Sequence, residues 1–193
     1  LIVPNLTDEY EKKRALDEIP QSAVGKTIMT TEPKFIPNNT AKIKIEDVNC
    51  NIKLIDCVGY MINNAIGATD ENGPRMVKTP WYNDEIPFTE AAEIGTEKVI
   101  KEHSTIGIVI TSDGSFGEFQ RDDYIDAETR VINELKSIGK PFIVILNTTH
   151  PNNPETINLQ KEISDKYKVV VLPVNVDTMN EKDMSDILRE ALY

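Results

Sequence analysis

Basic charge is scarce. Twenty-one lysines and arginines face 32 aspartates and glutamates, a formal net charge of −11 with a sequence pI near 4.7. Nothing basic is concentrated enough to neutralise a phosphate backbone or adhere broadly to anionic lipid, so a nucleic-acid surface is disfavoured. Cysteine is scarcer still, with Cys50 and Cys57 alone. Seven residues of extended chain between them span roughly 23 Å, far beyond disulfide reach. Two thiols and two histidines make no zinc site, and free thiols suit a reducing cytosol. No apolar run reaches membrane-spanning length, the first residues carry no signal-peptide pattern, and there is neither an internal repeat nor a low-complexity tract. The chain is therefore expected to be cytoplasmic.

What is present is ordinary globular material. The 193 residues are 39% hydrophobic and 27% charged, enough for one α/β domain with a full core. Its focus is Asn51-Ile-Lys-Leu-Ile-Asp-Cys-Val-Gly-Tyr60, a β-prone run ending in Asp56 and followed by Gly59. A carboxylate at the carboxyl end of a strand sits where open α/β sheets bind ligands. Asp56 there can hold Mg²⁺, which takes hard oxygen ligands and keeps most of its waters. Gly59, with no Cβ, lets a backbone N–H approach a terminal phosphate. This is the Asp-x-x-Gly arrangement of P-loop NTPases.

Along the chain, 8–18 suits a short charged helix and 41–48 alternates as a half-buried strand with Ile43 and Ile45 on one face. A turn at 47–50 makes it the antiparallel partner of 52–57. The segment 60–87 has no periodicity but is rich in proline and aromatics, which predicts an ordered lid or contact surface. Thr89 is a candidate cap for a helix to about His103. Strands are expected at 106–111, 141–146 and 169–172, and helices at 121–138, ended by Gly139, and 154–167. Thr178-Met-Asn-Glu181 resembles a capping box for a last helix. The order β-β-α-β-α-β-α-β-α predicts a mostly parallel sheet with an antiparallel hairpin and helices on both faces. It is the layout of a GTPase-like P-loop NTPase, of TRAFAC type, whose first strand, phosphate loop and first helix are absent.

Val24-Gly25-Lys26-Thr27 imitates the end of a Walker A loop, but that motif requires glycine at position 20, where Pro20 stands. Thr30 and Thr31 lie in the loop before the hairpin. In GTPase-like domains a threonine here gives its hydroxyl to Mg²⁺ and its N–H to the γ-phosphate, which orders the loop. Thr30, Thr31, Asp56 and Gly59 are thus the candidate catalytic set, with Asp56 and Thr31 on the metal. Tyr60 occupies the place of a water-orienting glutamine and cannot activate water in that way. Arg75, Lys78 and Arg121 are cations in reach of loops. Asn147-Thr148-Thr149-His150 stands where guanine-specific proteins carry Asn-Lys-x-Asp, and His150 replaces the aspartate that reads the guanine amino group. Guanine selectivity is expected to be lost, with Asn147, Thr148 and Asn175 left as base-side contacts.

Residues 21–37, Leu54-Ile-Asp-Cys-Val-Gly-Tyr60, Asp70-Glu-Asn-Gly-Pro-Arg-Met76, Glu93-Ile-Gly-Thr96 and Glu102-His-Ser-Thr-Ile-Gly107 together resemble the stage IV sporulation protein A family, over essentially the whole chain. The resemblance implies an ATP-hydrolysing morphogenetic domain of GTPase-like fold, with ATP and Mg²⁺ as its ligands. It implies self-assembly into a homopolymer at the base of the bacterial spore coat, on the outer forespore surface in the mother-cell cytosol. Its implied partners are coat proteins and a small amphipathic membrane peptide, with membrane association only peripheral. Thr30 and Thr31 match the family's sensor threonines and Asp56 its Walker B aspartate. The family's Walker A loop would lie upstream of Leu1 and its later domains beyond Tyr193, so 1–193 reads as a single N-terminally incomplete ATPase domain. A nucleotide-independent scaffold and a regulatory GTPase are the alternative readings.

Overall fold

The structure is a computed structural model that describes residues 3–6, 8–18, 33–45, 47–71 and 73–192. The sensor-threonine candidates Thr30 and Thr31, and the Walker A imitation at 24–27, lie outside the described residues.

Helix α1 (Glu9–Glu18) follows a short 3₁₀ turn and starts where the Asp8 carboxylate accepts from the N–H of Tyr10 at 2.7 Å. Strands β1 (Lys34–Ile45) and β2 (Val48–Asp56) form the expected antiparallel hairpin, with β1 longer than its alternation predicts and a register shift between Ile36 and Ala41. Strand β2 already begins at Val48, sooner than expected. One face of the hairpin rests on α1 and the 3₁₀ turn through Ala41, Ala15 and Leu6. Ile43 and Ile45, further along that same face, pack onto Leu188.

The 60–87 segment has structure of its own, in two miniature antiparallel ladders. These are β3 (Thr69–Asp70) with β4 (Gly73–Pro74), and β5 (Met76–Val77) with β6 (Ile86–Pro87). Gly73 has φ +124, which explains a glycine in that turn. Helix α2 (Phe88–Lys98) follows directly. Thr89 is not its cap, because Pro87 occupies the N-cap while pairing with Met76, and the fully buried Phe88 takes the first helical position beneath the Arg75 guanidinium, 4.0 Å from its ring. The last turn of the helix widens into a π-helical turn over Val99–His103, closed by Ser104 N–H on the Val99 carbonyl at 3.0 Å. Lys140 Nζ donates to the Ile100 and Ser104 carbonyls and so caps this end.

Strands β7 (Gly107–Ser112), β8 (Phe142–Asn147) and β9 (Val171–Val174) form a parallel sheet in the order β7-β8-β9. Helix α3 (Arg121–Ser137) carries a Gln120/Asp123 capping box and ends before Gly139, at φ +66, as expected. Helix α4 (Pro154–Tyr167) begins at Asn153, whose side chain accepts from Glu155 N–H. Helix α5 (Glu181–Leu192) is capped by Asn180 and Asp183, not by Thr178. The Asn180 oxygen accepts from the N–H of Lys182 and Asp183, and Asp183 accepts in return from Asn180 N–H. An Asn side chain reaches its own helix's amides as well as a threonine does, and here it lies one residue before the first turn.

Helices pack on both faces of the parallel sheet, although the α5 face is open at β7. Val109, Val144, Leu146 and Val171 pack on Ile132 and Leu135 of α3 and on Ile163 and Tyr167 of α4. Ile143 and Ile145 pack on Ile187 and Ala191 of α5. Each such side chain contributes roughly 1.5–3 kcal/mol when fully buried. The expected elements are present in the expected order, yet they do not make one sheet. Among the described residues the hairpin and the parallel sheet are separate ladders, and β7 is paired on the β8 side alone. Ile110 of β7 is 63% exposed and Ile108 36%, both on the face that α5 covers elsewhere.

Candidate functional site

Parallel strands place their carboxyl ends on one edge, where Ser112, Asn147 and Val174 finish β7, β8 and β9. The loops leaving these ends are stitched together. Thr148 is fully buried, and its hydroxyl donates to Asp113 Oδ2 at 2.5 Å. Asp113 also accepts from the hydroxyl and N–H of Ser115, and the Ser115 oxygen accepts from Thr149 N–H at 2.9 Å. On the other side, Asn147 Oδ1 accepts from Val176 N–H at 3.2 Å, and Thr148 N–H reaches the Val174 carbonyl. Asn175 spends its side-chain oxygen on the turn it starts, accepting from Asp177 and Thr178 N–H.

Asn147, Thr148 and Asn175 are therefore brought together at this edge. Their side-chain oxygens work within the loops, and Thr148 points inward to Asp113. His150 is exposed, with Nδ1 at 2.7 Å from the Thr149 hydroxyl and its N–H on Thr148 Oγ1. Asp113 and Ser115 were missed in the sequence. The signal was Ser112-Asp-Gly-Ser115 directly after a buried strand, at the sheet edge where ligands bind. Burial alone would raise the Asp113 carboxyl, but the hydrogen bonds from Ser115, Thr148 and the backbone outweigh it and hold the group below the ordinary aspartate range. Gly114, at φ +85, has no room for a Cβ, which would lie 2.7 Å from Arg121 N.

Asp56 ends β2, as expected, with its side chain exposed. Burial raises its pKa, the Cys57 N–H lowers it, and no cationic side chain takes part. A carboxylate at a strand end with no cationic side chain beside it is free to take a bound cation. Among the described residues no three His, Cys, Asp or Glu side chains gather to hold a metal. Mg²⁺ at Asp56 would complete its shell with phosphate oxygens and water, the set that this ion prefers. Cys57 beside it is raised by burial, partly offset by Gly59 N–H and Thr96. Gly59 has φ +80 and open space where a Cβ would sit. Asp56 and Gly59 share no hydrogen bond with the loops at the β7–β9 edge among the described residues.

Two of the candidate cations have other work. Arg121 donates to Thr111 Oγ1 and the Ser112 carbonyl, and pairs with Glu128, whose side chain is 1% exposed. Arg75 stacks on Phe88. Tyr60 turns to α3, where its hydroxyl donates to Glu134 and its ring lies 3.9 Å from the Arg130 guanidinium. Among the described residues no helix is long and apolar enough to cross a membrane.

Comparison with known proteins agrees with the sequence resemblance. Residues 1–193 match the family described as "Stage IV sporulation protein A, ATPase domain". Across its whole length the chain is 56% identical to stage IV sporulation protein A of Bacillus subtilis (strain 168), 55% to that of Bacillus anthracis and 49% to that of Clostridioides difficile (strain 630). It spans 39%, 39% and 40% of these relatives, about two fifths of their length.

Proposed function

The chain belongs to the family of the stage IV sporulation protein A ATPase domain, and from that membership we propose that it is the ATP-hydrolysing part of a protein that self-assembles into the basement layer of the spore coat. The observation that carries the reading is the match over all 193 residues at 49–56% identity. In this proposal the domain is a P-loop NTPase of GTPase-like, TRAFAC type. Supporting that type, α5 seats both ladders at once, Leu188 on the hairpin and Ile187 on the parallel sheet, while among the described residues β7 pairs on the β8 side alone and leaves Ile108 and Ile110 exposed. A strand and helix bearing a phosphate loop, from elsewhere in a longer protein, would fill that place.

Asp56 and Thr31 would then hold Mg²⁺, which neutralises phosphate charge when bound. Gly59 N–H and Thr30 would face the terminal phosphate. Asn147, Thr148 and Asn175 shape the base side, and His150 in place of an acid favours ATP over GTP. The working site is the mother-cell cytosol at the outer forespore surface, and the partners are further copies of the protein, coat proteins and a small amphipathic membrane peptide. The test uses the full-length protein, with phosphate release measured from ATP and from GTP. Faster ATP turnover is expected, and Thr30→Ala with Thr31→Ala should spare ATP binding but cut hydrolysis. Faster turnover of GTP would overturn the ATP preference.

A second reading, assembly without turnover, draws on Tyr60, whose hydroxyl is committed to Glu134. Sedimentation in EDTA separates the two. Polymers that form equally well without metal favour the scaffold.

A further inference from the structure

The five residues after Gly59 are fastened along α3. At one end the Tyr60 hydroxyl donates to Glu134, and the Tyr60 ring lies beneath Arg130, which grips Glu93 of α2 with two parallel hydrogen bonds of 2.8 and 2.9 Å. At the other end Asn63 N–H donates to the Asp123 carbonyl at 2.9 Å. The side chains of Asn63 and Asn64 donate to Asp126 and Asp123, at 3.0 and 2.6 Å. Glu134 and Asp126 are eight residues apart, about 12 Å of helix, so the segment runs lengthwise on α3 rather than touching it at a point. Asn64 has φ +60, the left-handed region that asparagine adopts more readily than other non-glycine residues.

The Tyr60–Glu134 hydrogen bond is charge-assisted and partly buried, with the guanidinium stacked on its ring, while the Asn63, Asn64 and Arg130–Glu93 contacts are exposed and add less each. Tyr60 stays protonated, because burial foremost and then Glu134 push its phenol far up, so it remains a donor to the carboxylate throughout the neutral range. None of Tyr60, Arg130, Glu93 or Glu134 is a nucleotide-binding residue type in its expected place. Together they fix the backbone immediately after Gly59.

We propose that Tyr60 is a positioning residue for hydrolysis: its anchorage on Glu134 and Arg130 fixes the backbone that follows Gly59 and ties that turn to α3. The proposal rests on the nucleotide-hydrolysing reading above. A loop already held in place needs no ordering at the moment of reaction, and that saving appears in kcat rather than in binding.

The experiment compares full-length wild type, Tyr60→Phe and, as a control at an exposed tyrosine, Tyr82→Phe. Phenylalanine keeps the ring under Arg130 and removes only the hydroxyl. Hydrogen exchange is read on the peptide covering 59–65 without nucleotide and with Mg²⁺ and a non-hydrolysable ATP analogue. ATP kcat and KM are measured on the same samples. Expected for Tyr60→Phe are faster exchange at 59–65, about fivefold, and a kcat about fivefold lower with KM within twofold, the control matching wild type. Unchanged exchange overturns the anchor. Faster exchange with unchanged kcat, or an equal effect on KM, reduces Tyr60 to a structural contact and overturns the positioning role. Wild type that turns over no ATP defeats the nucleotide reading, and the positioning role with it, whereas active wild type with an unaltered Tyr60→Phe defeats the positioning role alone.

Discussion

Thr148 and Asp113, 35 positions apart in the chain, are joined by a 2.5 Å hydrogen bond that ties the loop leaving β8 to the loop leaving β7. A fully buried hydroxyl and a carboxylate that accepts three hydrogen bonds make this the hinge pin of the sheet edge. Thr148→Val keeps the shape and removes the donor. It should cost about 1–3 kcal/mol, the penalty for a charged acceptor that loses its partner, measured by urea unfolding.

The same carboxylate gives a pH dependence. Its folded pKa lies below the unfolded value, so its contribution is complete above the unfolded pKa, near 4, and is lost as pH falls through the folded value. Asp113→Asn should therefore be less stable than wild type at pH 7, with the gap narrowing below about pH 4. Equal gaps at pH 7 and pH 3 in chemical denaturation would show that the carboxylate's charge is not what matters.

Arg121 and Glu128 form an ion pair at the start of α3, with Glu128 buried. Glu128→Ala leaves a guanidinium without its anion and should cost about 3–5 kcal/mol. The double variant Arg121→Met with Glu128→Leu should recover most of that loss, since apolar side chains of similar size need no partner. Thermal midpoints of the three proteins decide it.

Trp81 lies over Gly95 of α2, where an added Cβ would come within 3.2 Å of the indole. Gly95→Ala should change stability by no more than about 1 kcal/mol, because the gain in helix propensity offsets the tight contact. Gly95→Leu should expel the ring. The tryptophan is the single one in the 193 residues, and its emission, read on this domain, should shift to the red in the Leu variant and scarcely in the Ala variant. Identical spectra would mean that Trp81 does not rest there.

Helix α5 serves two ladders with adjacent residues, Leu188 on Ile43 and Ile45 and Ile187 on Ile143 and Ile145. Each alanine substitution should cost about 2–5 kcal/mol. They should differ in where hydrogen exchange accelerates first, over 34–56 for Leu188→Ala and over 142–147 for Ile187→Ala.

Much of this fold could be read from periodicity. The α4 limits, the Gly139 stop and the 3–4 spacing of α3 were plain, because one buried face dictates each. Caps were harder. Thr89 and Thr178 have the right chemistry, but Phe88 needed a buried place and Asn180 stood nearer its helix. Of the candidate site, Asp56 and Gly59 were legible because a strand end and a missing Cβ leave marks in one short stretch. Asp113, Arg130 and Glu134 were not, since each matters only through a residue dozens of positions away. No local pattern announces that Tyr60 turns toward α3.

The widened turn at 99–103 limits how this stretch of chain can change in length. It holds one residue more than ordinary winding between α2 and the buried pair Val99 and Ile100 on one side and the Lys140 clasp on the other. Deleting a single residue there would restore regular pitch but lose the Ser104 N–H to Val99 carbonyl bond that closes the turn, and would change the spacing of the two carbonyls that Lys140 holds. Related sequences should accordingly tolerate substitution in this turn far better than loss of a position.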